Sequence, residues 1–357
     1  MLISNLRVTI SAREGLTVVD LSLTSEQRQL VDSFAALFTR ESTSERIRAA
    51  EPSGFDLKLW KALLDTGAVE MAVGEADGGW GASELELALI AEQFGRAVAS
   101  APIIEAQVAA RTLSESGETG AGLLSEVLAG ERLATFAPRA ACDGRLSLVP
   151  AGAVADHVVA LSEGRLLAAP IGDGRTAVGN LASMPLADIT IGDDFVVLAD
   201  GAGARELFSR ALDLWLAMTA VALAGAAKRA VEIGVDYAKQ RHAFGAAIGS
   251  FQAVSHPLAD SATAADGARL LGLKAACAFA DEPDRVRELA AMAFAFAYET
   301  ARDATRRSLH IHGGYGFGME GDIQLYYRRV RGWAMVFGDP VTALDRFADA
   351  RYGVAAG

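Results

Sequence analysis

Apolar residues recur every three to four positions along the first third of the chain, which is the spacing of amphipathic helices. Thr24 and Ser83 are each followed three residues later by Gln or Glu, the arrangement of a capping box at a helix start. Asp56 is also a suitable N-cap, and Gly67 is a suitable stop for the helix after it. These signals predict helices from Thr24 to about residue 40, from Asp56 to Gly67, and from Ser83 through Phe94.

The pattern changes between residues 126 and 200, where short apolar runs alternate with turn signals. Close spacing of such turns is typical of hairpins. The turns are Asp143-Gly144, Glu163-Gly164 and Gly172-Asp173-Gly174, and the apolar runs cover 146–150, 157–161, 165–171 and 195–198. We therefore expect a small antiparallel β-domain over residues 126–200, after a helical domain over residues 21–125.

Long apolar-periodic stretches return from Ala204 onward, with few Gly or Pro residues inside them. They predict helices over about 204–240, 251–280, 284–312, 322–333 and 340–351. The fold class is thus α+β and mainly α, with a C-terminal helical bundle over residues 201–357. Residues 1–20 lack a signal-peptide pattern, and we expect either a disordered extension or a misassigned start there.

Composition excludes several classes of protein. A net charge of −12 leaves no basic stripe for binding nucleic acid. Apolar runs stay below the roughly 18–20 residues that span a bilayer, so the Ala-rich segment 217–227 is interpreted as a core helix of a soluble protein. Cys142 and Cys277 lack metal or redox spacing, and the five histidines form no ligand motif, so we predict a reduced cytoplasmic setting and no metal site.

Two motif blocks carry the candidate chemistry. Residues 237–252 read Y-A-K-Q-R-H-A-F-G-A-A-I-G-S-F-Q, and residues 310–322 read H-I-H-G-G-Y-G-F-G-M-E-G-D. Each block places an Arg, His or Gln beside glycines at the end of a predicted helix, as expected where a protein holds a phosphorylated cofactor. Arg241 offers a planar fork of donors suited to a diphosphate, and Phe244 offers a ring that can pack on a dinucleotide.

The order and separation of these blocks resemble those of the acyl-CoA dehydrogenase family, and the resemblance spans roughly residues 21–352. The family fold is a helical domain, a β-domain and a helical bundle, in agreement with the pattern above. The resemblance implies FAD as cofactor, an acyl-CoA thioester as substrate and an electron-transfer flavoprotein or similar acceptor as partner. It also implies that Arg241, Phe244 and Gln252 contact an FAD bound mainly by a neighbouring protomer.

The second block matches the family's Gln-x-x-Gly-Gly-x-Gly-Phe element. Gly313 and Gly314 would let the backbone approach the cofactor and would end the preceding helix. His310 stands at the position where the family usually has Gln. The resemblance therefore implies that the His310 side chain contacts the cofactor, although it extends over a different distance from a Gln side chain.

The family's flavin-ring elements are not recognisable in the β-domain. A T-E-P-x-x-G-S-D element would be expected where residues 134–143 read A-T-F-A-P-R-A-A-C-D. A W-I-T-N-like strand would be expected near residues 154–157, which read V-A-D-H. We therefore expect an eroded pocket for the isoalloxazine ring.

The catalytic carboxylate of the family is also missing from its expected positions. The resemblance places the base at Phe337 or, in a minority of members, at Trp215, and neither side chain can remove a proton. Asp339 is a weak substitute, because Asp339-Pro340 is also a suitable N-cap and N1 pair for the last helix. Asp213 lies on a different helix face from Trp215 and is a weaker candidate.

One subgroup of the family forms α2β2 heterotetramers that act on bulky thioesters such as steroid side chains. In that subgroup one subunit type supplies the base and the other helps to bind FAD. This chain resembles the base-lacking type, and its partner would be a homologous base-bearing subunit. Two alternatives remain open: a self-sufficient homomeric enzyme that uses Asp339 as base, and a scaffold paralogue that binds no cofactor.

Overall fold

The structure is a computed structural model that describes residues 23–353, so the predicted extension over residues 1–20 lies outside the described residues. Its element order is helical, then a region of short strands, then helical again. The expected mainly α fold with a small middle β region is confirmed.

Residues 23–131 contain six α-helices, of which the first, third and fourth begin where the sequence predicts, while the other three are not predicted. They are α1 (Ser25–Glu41), α2 (Ser44–Ala50), α3 (Leu57–Asp65), α4 (Glu84–Arg96), α5 (Ile103–Glu115) and α6 (Glu118–Leu128). Thr24 and Ser83 both form complete capping boxes. The Asp56 carboxylate accepts hydrogen bonds from the first backbone amides of α3. Local capping chemistry therefore sets these helix starts.

The middle region contains two small sheets. The strands are β1 (Ala134–Phe136), β2 (Arg145–Val149), β3 (His157–Ser162), β4 (Arg165–Pro170), β5 (Arg175–Ala177), β6 (Ala187–Thr190) and β7 (Val196–Asp200). One sheet has the order β1-β3-β4-β7 and the other β2-β6-β5. The expectation of a purely antiparallel arrangement is wrong for one pair: β1 runs parallel to β3, with Thr135 opposite Val158. Between β1 and β3 the chain forms β2, which belongs to the other sheet. Two parallel strands require a crossover connection of this kind.

The C-terminal helices match their predicted bounds within about three residues. They are α7 (Gly201–Gln240), α8 (Gln252–Asp281), α9 (Val286–His312), α10 (Gly314–Phe317), α11 (Ile323–Met335) and α12 (Pro340–Tyr352). A short hairpin of β8 (His242–Ala243) and β9 (Ala246–Ala247) joins α7 to α8. These predictions of the C-terminal helices are confirmed.

Helix α7 is the central element of the core and packs against α4, α8 and α9. Gly95 on α4 and Gly225 on α7 allow close approach, since a Cβ atom at either position would overlap a backbone carbonyl of the facing helix. By length and composition α7 could cross a membrane, but 83% of its most apolar window is buried inside the protein. The apolar side chains of α7 therefore pack against other helices of the same chain.

Candidate functional site

The two motif blocks meet in space at one end of the helical bundle. Tyr237, near the end of α7, stacks on His312, the last residue of α9, with ring centroids 4.1 Å apart. The His312 Nδ1 atom donates to the Ser308 carbonyl over 2.8 Å, which holds the imidazole in place. Segments about 70 residues apart in sequence thus form one surface region.

Arg241 directly follows α7 and has a fixed backbone. Its N–H donates to the Tyr237 carbonyl, and its own carbonyl accepts from Ile248 N–H, both over 2.8 Å. Its side chain is exposed, and within residues 23–353 the guanidinium forms no hydrogen bond or ion pair. All its donors therefore remain available to a group outside this chain.

The hairpin after Arg241 presents an aromatic side chain at its tip. Phe244 and Gly245 occupy the two turn positions with φ values of 54° and 81°, which is the sign pattern of a type I′ turn. Glycine tolerates this backbone, but an aromatic residue does so only at a cost of about 1–2 kcal/mol. Phe244 is nevertheless 98% exposed, and its ring meets the Phe251 ring edge-on with 6.3 Å between centroids. Such strain at an exposed aromatic residue points to a contact outside the chain.

Gln252 is the first residue of α8 and lies beside the hairpin. Its side chain is exposed and makes no hydrogen bond to any residue that the structure describes. An apolar groove of about 470 Å³ runs alongside, between α7, the hairpin and α8; its walls include Val231, Val235 and Leu258. Arg241, Phe244 and Gln252 therefore border a surface that is open in the single chain.

His310 and the two glycines complete this end of the bundle. His310 is exposed on the last turn of α9, and its carbonyl accepts from Gly313 N–H over 3.0 Å. Gly313 has φ 60° and ψ −142°, a combination close to one that essentially only glycine adopts. A Cβ atom on Gly313 or Gly314 would meet nothing within 4 Å in this chain. The open space at Gly314 is where a group outside the chain could approach the backbone.

The two expected base positions, which are 122 residues apart in sequence, lie together in the structure. The Trp215 ring, 1% exposed, and the Phe337 ring, 7% exposed, have centroids 6.2 Å apart. Phe294 from α9 lies 5.8 Å from the first ring and 5.7 Å from the second. This aromatic cluster contains no group that can accept a proton.

One carboxyl next to this cluster does not stand out in the sequence. Glu105, in the first turn of α5, accepts a hydrogen bond from Trp215 Nε1 over 3.1 Å. Burial raises the pKa of the Glu105 carboxyl, and hydrogen bonds from its own backbone and from Trp215 offset only part of that shift. No motif marks this acid, and only the fold places it beside Trp215.

Comparisons with known proteins identify the architecture that holds these groups. Residues 24–131 match the family model for the acyl-CoA dehydrogenase N-terminal domain, and residues 205–348 match the model for the C-terminal domain. The acyl-CoA dehydrogenase IpdE2 of Mycolicibacterium smegmatis is 31% identical over 332 residues, which cover 90% of this chain and 98% of that protein. The chain belongs to the acyl-CoA dehydrogenase family.

Solved structures support the same conclusion for the whole fold. The steroid ACAD G363A variant Tcur3481-Tcur3483 is 27% identical, with a TM-score of 0.82 over 91% of this chain and 97% of that chain. The ChsE4-ChsE5 complex from Mycobacterium tuberculosis is 24% identical, with a TM-score of 0.85 over 92% of this chain and 98% of that chain. As an acyl-CoA dehydrogenase, the chain belongs to a family of oxidoreductases that act on CH–CH bonds.

Within this acyl-CoA dehydrogenase, the cavity at the Trp215 and Glu105 side chains is small. It measures about 40 Å³, and its walls include the stacked pair Phe94 and Trp333, whose centroids lie 4.9 Å apart. A single water needs at least about 10–15 Å³ of such volume, so the cavity holds a few waters at most. An acyl chain does not fit there without rearrangement of the aromatic side chains.

The other two carboxylates considered as bases lie in different surroundings. Asp339 is exposed immediately before α12, and its carbonyl accepts from Thr342 N–H over 2.9 Å. Asp213 is buried and accepts from Arg346 Nε over 3.0 Å, an ion pair that joins α12 to α7. Burial raises the pKa of the Asp213 carboxyl more than Arg346 and Arg287 lower it. Asp213 therefore has a structural partner in the free chain.

Two polar groups near the expected flavin-ring elements are engaged inside the β region, whereas the Nδ1 atom of His157 is buried without a hydrogen-bond partner among the described residues. The Thr135 hydroxyl on β1 is buried and donates to the Pro150 carbonyl over 2.6 Å. The Asp156 carboxylate accepts from Leu133 N–H over 2.8 Å. Both groups thus already serve the packing of the two sheets.

Proposed function

We propose that this chain is a subunit of a heteromeric, FAD-dependent acyl-CoA dehydrogenase in which it supplies an FAD half-site and a homologous subunit supplies the catalytic base. The observation that carries the proposal is the contact between Phe337 and Trp215. Both positions that the family uses for its carboxylate hold buried aromatic rings that pack on one another.

The chemistry of the reaction explains why this contact matters. Desaturation requires a carboxylate that removes the α-proton of the thioester, and bound FAD supplies the acceptor for the β-hydride. A Trp or Phe side chain has no site for that proton. The small cavity beside Trp215 also leaves no room for an acyl chain against these rings. Substrate and base would therefore belong to the partner's active site.

The residues at the other end of the bundle fit the half-site role. Arg241 carries an unpaired guanidinium suited to a diphosphate, Gln252 an unpaired amide, and Phe244 a fully exposed ring. His310, Gly313 and Gly314 border the same end and would contribute backbone contacts. These groups would hold an FAD whose ring lies in the neighbouring subunit.

The solved relatives support a two-component assembly and a bulky substrate. The names Tcur3481-Tcur3483 and ChsE4-ChsE5 each describe two proteins, and the first is called a steroid ACAD. We propose an α2β2 arrangement, a bulky acyl-CoA such as a steroid side-chain thioester as substrate, and an electron-transfer flavoprotein as electron acceptor.

Replacement of Arg241 tests the half-site. Arg241→Ala should weaken FAD retention in the assembled complex about tenfold or more, because a hydrogen bond to a charged group contributes about 1.5–3 kcal/mol. The melting temperature of the complex saturated with FAD should change little, since this side chain has no partner within the described chain. Flavin absorbance after dialysis measures the effect.

Arg210→Ala is a matched control for that measurement. Arg210 is another exposed arginine, which lies on α7 and pairs with Glu115, far from the hairpin in sequence. Equal flavin content in the wild type, Arg241→Ala and Arg210→Ala would show that Arg241 does not hold the cofactor.

A self-sufficient enzyme is the second candidate, and Glu105 is the observation that favours it. A carboxyl with a raised pKa next to the family's base positions could act as a general base. Under the half-site proposal, however, Glu105→Gln should leave turnover of the assembled enzyme nearly unchanged. Asp339→Asn should do the same, because the sequence predicts Asp339 as the N-cap of α12 and Asn accepts the same hydrogen bond. Turnover of both variants measures the outcome.

Loss of activity identifies a base only if the fold is intact. Asp339→Ala serves as the stability control, because loss of an N-cap costs about 0.5–2 kcal/mol without involving a proton transfer. A fully stable but inactive Glu105→Gln or Asp339→Asn enzyme would make this chain catalytic in its own right.

A further inference from the structure

A separate cavity lies beside α4. It measures about 420 Å³, and residues of α1, α4, α7 and α11 form its walls, together with the link from α1 to α2. This volume is within the range of small-molecule sites, about 300–1,000 Å³. Its lining is mainly polar, and none of the residues assigned above to the cofactor or the base contributes to it.

Two arginines in this cavity share one carboxylate. Arg96 Nη2 lies 2.9 Å and Arg229 Nη1 lies 3.0 Å from the same oxygen atom of Glu232. Two guanidinium groups against one carboxylate leave one positive charge uncompensated within this cluster. Both arginines line the cavity, and their side chains are partly exposed to solvent, at 30% and 42%. The cluster is therefore suited to an additional anion.

Gln93 adds an amide group to the same cavity. Gln93 precedes Arg96 by three residues on α4, so both side chains lie on one helix face. It is only 8% exposed and lines the cavity, yet its amide makes no hydrogen bond to any residue between 23 and 353. The amide is therefore available to an acceptor bound in the cavity.

The remaining polar groups of the cavity are neutral. The Tyr326 hydroxyl donates to the Arg96 carbonyl over 2.7 Å. Burial raises the pKa of Tyr326 to about 12, so this hydroxyl carries no charge at neutral pH. Ser42, Thr43 and Ser44 add further hydroxyl groups at the rim.

We propose that Arg96, Arg229 and Gln93 form a binding site for a phosphate group carried by a small molecule. Two guanidinium forks and an amide donor match the several oxygens of a phosphate. The cavity is larger than a bare phosphate ion, which leaves room for the molecule that carries it. The inference rests on this cluster alone and is independent of the proposed catalytic role.

Gln93→Leu gives the sharpest test. We expect the melting temperature of the wild-type chain to rise and saturate with added inorganic phosphate at constant ionic strength. Gln93→Leu should melt close to the wild-type temperature without phosphate, because the amide that it replaces has no hydrogen-bond partner among the described residues. Its affinity for phosphate should fall about tenfold. A purely structural role of Gln93 would lower the melting temperature and leave the phosphate response intact.

Arginine variants and nucleotide competitors complete the experiment. Arg229→Gln should also weaken the phosphate response, whereas Arg210→Gln should preserve it. If CoA competes with inorganic phosphate for the site and dephospho-CoA does not, the ligand is a molecule with a nucleotide 3′-phosphate. If neither compound competes, the ligand is free phosphate. Absence of a saturable response in the wild type, or an equal response in Gln93→Leu and Arg229→Gln, would overturn the proposal.

Discussion

Purified alone, the chain should carry far less than one FAD per protomer. Its exposed Arg241, Phe244 and Gln252 supply contacts for the diphosphate side, whereas the Thr135 and Asp156 side chains near the expected ring elements are engaged within the sheets. Co-expression with a base-bearing homologue should give a yellow complex with bound FAD. Flavin absorbance relative to protein concentration measures both states.

Two results would contradict this expectation in different ways. A stoichiometric amount of FAD in the lone protein would show that the chain builds a complete site and would favour the self-sufficient enzyme. A stable complex that remains colourless after FAD is supplied would favour the cofactor-free scaffold.

Phe337→Glu should restore the family's carboxylate without restoring activity. The new side chain would enter a cluster formed by Trp215 and Phe294, where an uncompensated charge typically costs on the order of 3–5 kcal/mol. The cavity of about 40 Å³ would still exclude an acyl chain. Urea unfolding should show the loss of stability, and a dehydrogenase assay of the lone chain with FAD should show no turnover.

Phe337→Leu separates loss of packing from burial of charge. Leucine keeps the site apolar, so this variant should lose less stability than Phe337→Glu. A Phe337→Glu chain that desaturates acyl-CoA without a partner would show that only the carboxylate is missing, and the half-site proposal would then be wrong.

Local signals in the sequence are sufficient to predict most of the helices. Thr24, Asp56 and Ser83 cap helices through their own side chains, so the information lies within three residues of each helix start. Strands β1, β5 and β6 are not predicted, because three or four residues are too short for an apolar period to be recognised. The parallel pairing of β1 with β3 depends on contacts between sheets and has no local signal.

The candidate sites show the same limit. Spacing alone leads to Phe337 and Trp215 as separate alternatives, and only the packing of α7 against the segment before α12 brings their rings together. Glu105 escapes notice because its partner Trp215 is 110 residues away. The cluster of Gln93, Arg96 and Arg229 likewise combines residues from α4 and α7 that no motif connects.

The aromatic cluster around Trp215 also changes the compromise between stability and activity in this chain. An active site ordinarily retains polar, strained or poorly packed groups that reduce the stability of the fold, and this trade-off limits how rigid an enzyme can become. Here the corresponding region is filled by Trp215, Phe294 and Phe337 and continues the hydrophobic core. Under the proposed division of labour, selection on this subunit can favour rigidity and a precise interface, while the homologous partner alone retains the flexibility that turnover requires.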